Sequence, residues 1–486
     1  MRRSLMAFIF TAAIGCLPVV HVHAQGVVIS GTSSAQYIEL RPLVVDSVPY
    51  ATTDSAWGHY RRAADGTLAR CDALQRFCSF FRSTTPNSLV AMTQDLDITA
   101  WGLGRGVSVH AQLRGRGAAG DARSLWPQAT QSFDALSAYV ELDRALGRGR
   151  LGRQWIMSSL GVFNFDGAAI LLRPTRVFHA EIYGGGTLVE GLNRSLGAEA
   201  LSPVEDLPPT DGAYLIGTTV QLRPSPWGSL RAQYQREIRH DRAGLYSERF
   251  AADGELRAGR GTLAAQLSRD LATGTFNDLS LSLRMALPSS TNARLEARRY
   301  TPYFDLWTIW GAFAPIGFGE VRANLDWATP DARLVVGASG ARRSYDDTKT
   351  GVVSLPLRTD GWRVGATAAL RATSTWSARA SYNAAVGIGA SGSDGDLTVS
   401  WSPNDRLSLG LHGLAFQNIY EFQVGSGRVL GGGGEAMVRL TPDIRLVADA
   451  LVYHTTGNDR PQVVDWNQRR GNVRLEWTLG GAGRAP

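Results

Sequence analysis

Arginine is the chemical signature of this chain. It carries 50 basic residues against 43 acids, and Lys349 is its one lysine. The guanidinium fork binds carboxylate and phosphate bidentately, so an arginine-rich surface points to anionic ligands of those classes. Enzymatic signatures are absent by comparison. The eight histidines include no His-x-x-x-His pair and no metal-ligand spacing, and there is no Gly-x-Ser-x-Gly elbow. Gly147-Arg148-Gly149-Arg150-Leu151-Gly152 has the spacing of a dinucleotide loop, but a strand follows it where that fold needs a helix, so it reads as a turn. No metal and no cofactor are implied. Basic charge without interleaved base-stacking aromatics argues against nucleic acid as a partner.

The elements that must position these arginines are strands. In 361–371, Trp362, Val364, Ala366, Ala368 and Leu370 fall on one face, with Arg363, Gly365, Thr367, Ala369 and Arg371 on the other. The next run sets Trp376, Ala378, Ala380 and Tyr382 against Ser377, Arg379, Ser381 and Asn383, and the last sets Val473, Leu475 and Trp477 against Arg474 and Glu476. A period of two marks a half-buried strand. Strands of about 9–11 residues in this pattern suit either a soluble sandwich or a barrel with lipid outside and water inside.

Turn chemistry separates the two. Arg173-Pro174-Thr175, Arg223-Pro224-Ser225, Leu287-Pro288-Ser289, Thr329-Pro330-Asp331, Ser402-Pro403-Asn404 and Thr441-Pro442-Asp443 each sit between alternating runs. Pro pre-sets the backbone of a tight turn, and Asp, Asn and Ser close it. Further tight connections are expected near Gly104, 147–150, 259–261 and 373–374. Longer connections alternate with them, at 46–91, 116–132, 158–166, 186–212, 240–245, 271–275, 301–317, 344–360, 387–394, 418–430 and 455–470. With a first strand near 37–44, ten short turns and both termini on the same side give 22 strands; 18 or 20 remain open. Short turns on one side and longer loops on the other describe an all-β, transmembrane, antiparallel up-and-down barrel with periplasmic turns and extracellular loops.

The N-terminus supplies the compartment. Arg2 and Arg3 form a basic region, residues 5–20 an apolar core, and Val22-His23-Ala24 a small-residue cleavage site. The expected organisation is a cleaved signal peptide over 1–24, a short periplasmic segment over 25–35, a barrel over 36–479 and a tail over 480–486. Cys16 leaves with the signal, so Cys71 and Cys78 remain as an even pair in an exported chain, the pattern of a disulfide, in the first external loop. Without Arg2 and Arg3 the net charge falls from +7 to +5. Trp477 near the chain end approximates the aromatic that barrel-assembly machinery reads, which makes that machinery and outer-membrane lipid the expected partners.

If the apolar register faces lipid, the other lines the lumen. It holds Arg114, Arg223, Arg231, Arg284, Arg294, Arg298, Arg363, Arg371, Arg379, Arg439, Arg445 and Arg474, with Asp95, Asp97, Glu141, Glu296, Asp449 and Glu476 as acids. Arginine rings in a pore favour anions, and pairing with acids creates a transverse field; alternatively the same charges only solvate the wall and brace one another. The constriction candidates are 186–212, with Pro203, Pro208 and Pro209, and the aromatic segment 303–310. The expected function is a porin-like outer-membrane channel, passive or exporting, for small or anionic solutes. Two alternatives stand beside it: a structural or secretion-partner barrel with an occluded lumen, and a barrel-embedded hydrolase in which a serine meets His110, His179 or His412.

One stretch carries a resemblance. Arg150-Leu151-Gly152-Arg153-Gln154-Trp155, followed by Phe165-Asp166-Gly167-Ala168, resembles a strand-loop-strand segment of alginate-export and related porin-like outer-membrane proteins. The resemblance covers about 130–185. It implies a barrel with a basic lumen that passes anionic polysaccharides or small solutes, with Arg150, Arg153 and Asp166 lining the conduit. Arg153 and Trp155 share the apolar register of Leu151, so either a bulge intervenes or Arg153 lies outside the lumen.

Overall fold

A computed structural model describes residues 26–40, 43–57, 60–64, 68–71, 76–83, 85, 87–119, 132–188, 213–239, 245–301, 317–346, 359–387, 390–420, 427–457 and 466–480. The expected signal peptide, residues 481–486 of the tail, and nearly all of both constriction candidates, 186–212 and 303–310, lie outside the described residues.

Alternating apolar and polar side chains make every long segment a strand, and each wall strand pairs antiparallel with the next wall strand in sequence. The result is a closed sheet of 22 strands: Gly26–Leu40 pairs with Asn87–Trp101 on one side and with Trp466–Leu479 on the other. Closure leaves no unpaired edge, which a membrane-spanning sheet requires and a sandwich does not supply. The only helix among the described residues is a three-residue 3-10 turn, Tyr50–Thr52.

Ten short connections lie at one end of the barrel, here called the lower end, together with the first residue of the opening strand and the last of the closing strand. Their side chains close them locally. Asn404 Oδ1 accepts from the backbone N–H groups of Arg406 at 2.9 Å and Leu407 at 3.0 Å, and the Thr373 hydroxyl oxygen accepts from the N–H of Trp376 at 3.0 Å.

Five expectations need correction. The expected first strand, 37–44, and the expected periplasmic segment, 25–35, give way to one barrel strand, Gly26–Leu40, while Leu43 and Val44 open a strand of the separate small sheet. The alternation of Gly26–Leu40 is flat because its outward positions include Gly31, Ser33 and Ala35; Gly31 is small because the indole of Trp477 lies over it, 2.3 Å from where a Cβ would sit. The glycine-rich turn expected at 147–150 lies at 145–146 instead, and Gly147–Ser158 is already strand. The connection expected at 158–166 is a two-residue turn, with Ser158 paired to Gly161. The loop expected at 46–91 contains a separate five-stranded antiparallel sheet, ordered 43–49, 77–83, 68–71, 60–62, 54–57. Cys71 and Cys78 face each other in that sheet and are joined by a disulfide.

The pairing registers sort the wall into two faces. Leu263, Leu283 and Leu295 form a row on the outer face, continued by Ala323 and Gly340. Exposed aliphatic side chains such as Leu151, Ile182, Ile216 and Leu411 belong to the same face. Aromatic side chains gather at its two levels: Trp327, Trp477 and the stacked pair Trp376–Trp401 (5.8 Å) below, Tyr214, Phe250 and Trp362 above. Tyrosine and tryptophan at two levels flanking an apolar band match the two interfaces of a bilayer.

Candidate functional site: the inner wall

All twelve sequence-nominated arginines fall on the inner register. Six of them meet acids there. Arg114 binds Asp95 (2.6 Å), Arg231 binds Asp253 (2.9 Å), Arg298 binds Asp278 (2.9 Å) and Arg294 binds Glu296 (2.8 Å). Arg445 and Arg474 share Glu476. Arg223, Arg284, Arg363, Arg371, Arg379 and Arg439 have no acidic partner among the described residues.

Four of the second group lie between residues 276 and 387. Arg284 lies directly opposite Arg294 across one ladder. Arg363 is the diagonal neighbour of Arg343, and Arg371 of Arg379, across two others. Directly opposed like charges destabilise a sheet, and the strands between 276 and 387 hold one such pair and two diagonal ones. Glu320 partly compensates: its buried carboxylate bridges Arg322, at 3.1 Å, and Arg343. Arg322, Arg343 and Glu320 are site residues the sequence reading passed over, although Val321, Ala323, Leu325 and Trp327 mark the register that turns Glu320 and Arg322 inward.

The next sector has the opposite character. Glu435 stands directly opposite Asp449, and Asp394 and Asp396 follow on the strand Ala390–Asn404. Asn383 donates to Asp394 at 2.9 Å and Asn472 to Asp449 at 3.0 Å. Carboxylates thus gather at Glu435 and Asp449, although Arg439 faces Arg445 lower on the same ladder, and the inner wall is not a uniform basic ring.

Among the described residues, the inward structure is a hairpin of the wall itself. Gly147–Ser158 and Phe133–Arg144 pair only as far as Arg153–Ala138, and Gly161–Leu172 pairs with Phe178–Thr187 only as far as Phe165–Thr187. Beyond those points, apart from one bond from the Leu188 N–H to the Asn164 carbonyl (3.2 Å), the two hairpin strands form a ladder only with each other. Their tip reaches strands well along the barrel. The Ser159 N–H donates to Gln233 (2.9 Å), its hydroxyl donates to Asp253 (2.9 Å), and Arg231 donates to that hydroxyl (3.3 Å). Beneath the tip, Ile156, Phe165, Ala169, Tyr183 and Leu215 form a buried cluster, and Arg249 lies over the ring of Phe163 (5.4 Å). Tyr183 donates to Gln235 (3.0 Å), and Gln235 and Ser247 donate to Glu237. This cluster occupies the inner side of the wall, so the hairpin is folded into the lumen.

Glycines permit the bend. Gly152 has φ of +127°, and a Cβ there would lie 2.3 Å from the Ala138 carbonyl oxygen. Its ladder partner Gly167 pairs in turn with Gly185, where side chains would meet the neighbouring backbone at 2.0 and 2.2 Å. Only glycine fits such an approach.

Of the residues implied by the family resemblance, Arg150 faces inward and binds Glu181 (2.9 Å). Arg153 and Asp166 do not line the conduit. They form an ion pair at 2.8 Å on the outer register, shared with Leu151, and no bulge interrupts the ladder between them.

The histidines make no triad among the described residues. His110 Nε2 lies 3.0 Å from the Ser108 hydroxyl, but Nδ1 faces Thr99 (3.3 Å) rather than a carboxylate, and the ring is stacked on Tyr139 (4.9 Å). His412 contacts Thr398 (3.2 Å).

No family model matches the chain, and no curated protein does. Solved structures share the barrel form at low identity. The siderophore receptor PirA from Pseudomonas aeruginosa is 9% identical, with 93% of this chain and 80% of that chain covered and a TM-score of 0.46. The P pilus usher PapC translocation pore is 10% identical over 94% of this chain and 100% of that one, at 0.41. Acinetobacter baumannii OccAB4 is 8% identical over 95% and 100%, at 0.38. At these scores the likeness decides nothing about this chain; strand number and register rest on its own hydrogen bonds.

Proposed function

We propose that this chain is an outer-membrane channel through which small anionic solutes pass by diffusion along an arginine-lined sector of the lumen. The observation that carries the reading is the repeated juxtaposition of inward arginines between residues 276 and 387: Arg284 with Arg294, Arg343 with Arg363, Arg371 with Arg379. Arg294 is bound to Glu296 and Arg343 to Glu320, whereas Arg284, Arg363, Arg371 and Arg379, without an acidic partner among the described residues, leave donors for a passing carboxylate or phosphate. The outer wall supports the membrane setting, with its apolar band between two aromatic levels. Reversal potentials in planar bilayers under a salt gradient test it: chloride preferred over potassium is expected, and cation preference or no conductance overturns it.

The inward hairpin supports a second reading, a barrel with an occluded lumen that serves a structural or secretion role. Negligible conductance together with a co-purifying periplasmic protein would select it. The resemblance over 130–185 extends the first reading to anionic polysaccharide; block of the channel by a polyuronate but not by a neutral glucan of equal length would support that extension.

A further inference from the structure

The outer wall is charged at one level only. From the lower turns upward, the outward positions of the described strands carry mainly aliphatic, glycine and aromatic residues, with Ser33, Gln94 and Thr218 as uncharged polar exceptions. The sole ionisable one near the lower end is Arg144, the last residue of its strand, whose guanidinium donates to the carbonyls of Arg105 and Asp143. At the upper end the pattern changes abruptly. Arg236, Arg269, Arg299, Arg342, Arg428 and Arg469 each sit one to three residues from the upper end of a strand, and each shares its register with apolar residues of the outer face. Arg153 joins this level, since it is the last residue of its strand paired to the neighbouring strand 133–144.

Part of this charge is satisfied within the wall. Arg153 pairs with Asp166 (2.8 Å) and Arg299 with Asp346 (2.5 Å), while Arg236 lies opposite Glu248. Arg269 lies over the ring of Phe276 at 5.1 Å. Arg342 and Arg428 are exposed and have no partner among the described residues.

We propose that this level is a binding belt for lipids whose headgroups carry phosphate, in the leaflet at the upper end of the barrel. Distribution argues for lipid over a protein partner. The arginines are spread over strands from Gly147–Ser158 round to Trp466–Leu479, at one height, whereas a docked protein would concentrate them on one side. Chemistry argues for phosphate: a guanidinium takes two phosphate oxygens in its fork, at the boundary where an apolar band gives way to headgroups. The belt is separate from the lumen, so neither the solute nor ion preference bears on it.

The test is lipid retention by the full barrel, measured by native mass spectrometry. The probes are a lipid with a phosphomonoester headgroup and a diacylglycerol that lacks phosphate, each supplied in mixed micelles. The wild-type barrel should retain the phosphomonoester lipid in preference. The triple variant Arg269→Ala/Arg342→Ala/Arg428→Ala should retain it about tenfold less or weaker. A lower-turn control, Arg333→Ala, should match wild type. Equal retention by wild type and the triple variant overturns the proposal, as does equal retention of both lipids by wild type. A triple variant that keeps its lipid but loses self-association would show a protein interface instead. Resistance of the folded band to detergent without heating confirms that each variant still forms a barrel.

Discussion

The hydroxyl of Ser159 donates to Asp253 at 2.9 Å although three strands of the wall intervene between the strands beside them. A contact across that chord is reachable only through the interior, so it fixes the hairpin tip inside the barrel. Arg231 holds both members, bonded to Asp253 at 2.9 Å and to Ser159 at 3.3 Å.

This latch should set how often the hairpin obstructs the lumen. A net hydrogen bond contributes about 1 kcal/mol, so Ser159→Ala or Asp253→Asn should raise the released fraction about fivefold. Single-channel recordings should show longer or more frequent high-conductance intervals. Unchanged current records in both variants would show that the tip does not gate flow.

Removing charge from the arginine sector should alter selectivity without altering the fold. Arg363→Ser combined with Arg379→Ser is expected to lower the anion-to-cation permeability ratio about threefold, near 0.6 kcal/mol, at the solvent-screened end of Coulomb's law. Reversal potential is the measurement, and Arg333→Ser in the lower turn is the control. An unchanged ratio would place the ion path elsewhere in the lumen.

The disulfide should matter to the small sheet alone. Cys71 and Cys78 link two strands of the five-stranded sheet, and none of the 22 wall strands pairs with it. Cys71→Ser/Cys78→Ser should cost that sheet about 2–3 kcal/mol and expose 43–83 to protease, with the barrel still resistant. Barrel loss in the same variant would mean the small sheet is needed for assembly.

Asp331 in a lower turn should titrate below an ordinary aspartate, about 3.9. The Thr329 hydroxyl donates to its carboxylate at 2.6 Å and the Arg333 N–H at 3.2 Å, and both bonds favour the charged form. A carboxyl depressed on folding adds stability above its unfolded pKa, and that stability is lost as pH falls through the folded value. Carboxyl-carbon NMR titration should show Thr329→Val moving Asp331 upward; no movement would assign the depression to other groups.

Much of this fold was legible because lipid and water impose a period of two. Trp362 to Leu370 declares its outward face in single letters, and the proline turns gave a strand number of 22 that the ladders reproduce. Gly26–Leu40 escaped because Gly31, Ser33 and Ala35 occupy outward positions, and Ser33 is satisfied only by its cross-strand partner Gln94. The inward arginines could be listed by register, but their juxtaposition depends on pairing. Arg284 meets Arg294 only once the turn at 288–290 sets the offset. The hairpin was least legible. Val162, Asn164 and Asp166 continue an ordinary strand pattern, and the groups that hold the tip, Gln233 and Asp253, lie far away in sequence.

The glycine row Gly152–Gly167–Gly185 makes two strands serve opposite ends. Below the row, Gly147–Ser158 and Gly161–Leu172 are staves that widen the circumference; above it, the same two strands subtract from the opening they helped create. Strand count therefore overstates the free cross-section of this barrel. The bend is set by where three backbones touch, so lengthening or shortening the hairpin above that row would change how much of the lumen it fills while leaving the 22-strand ring intact.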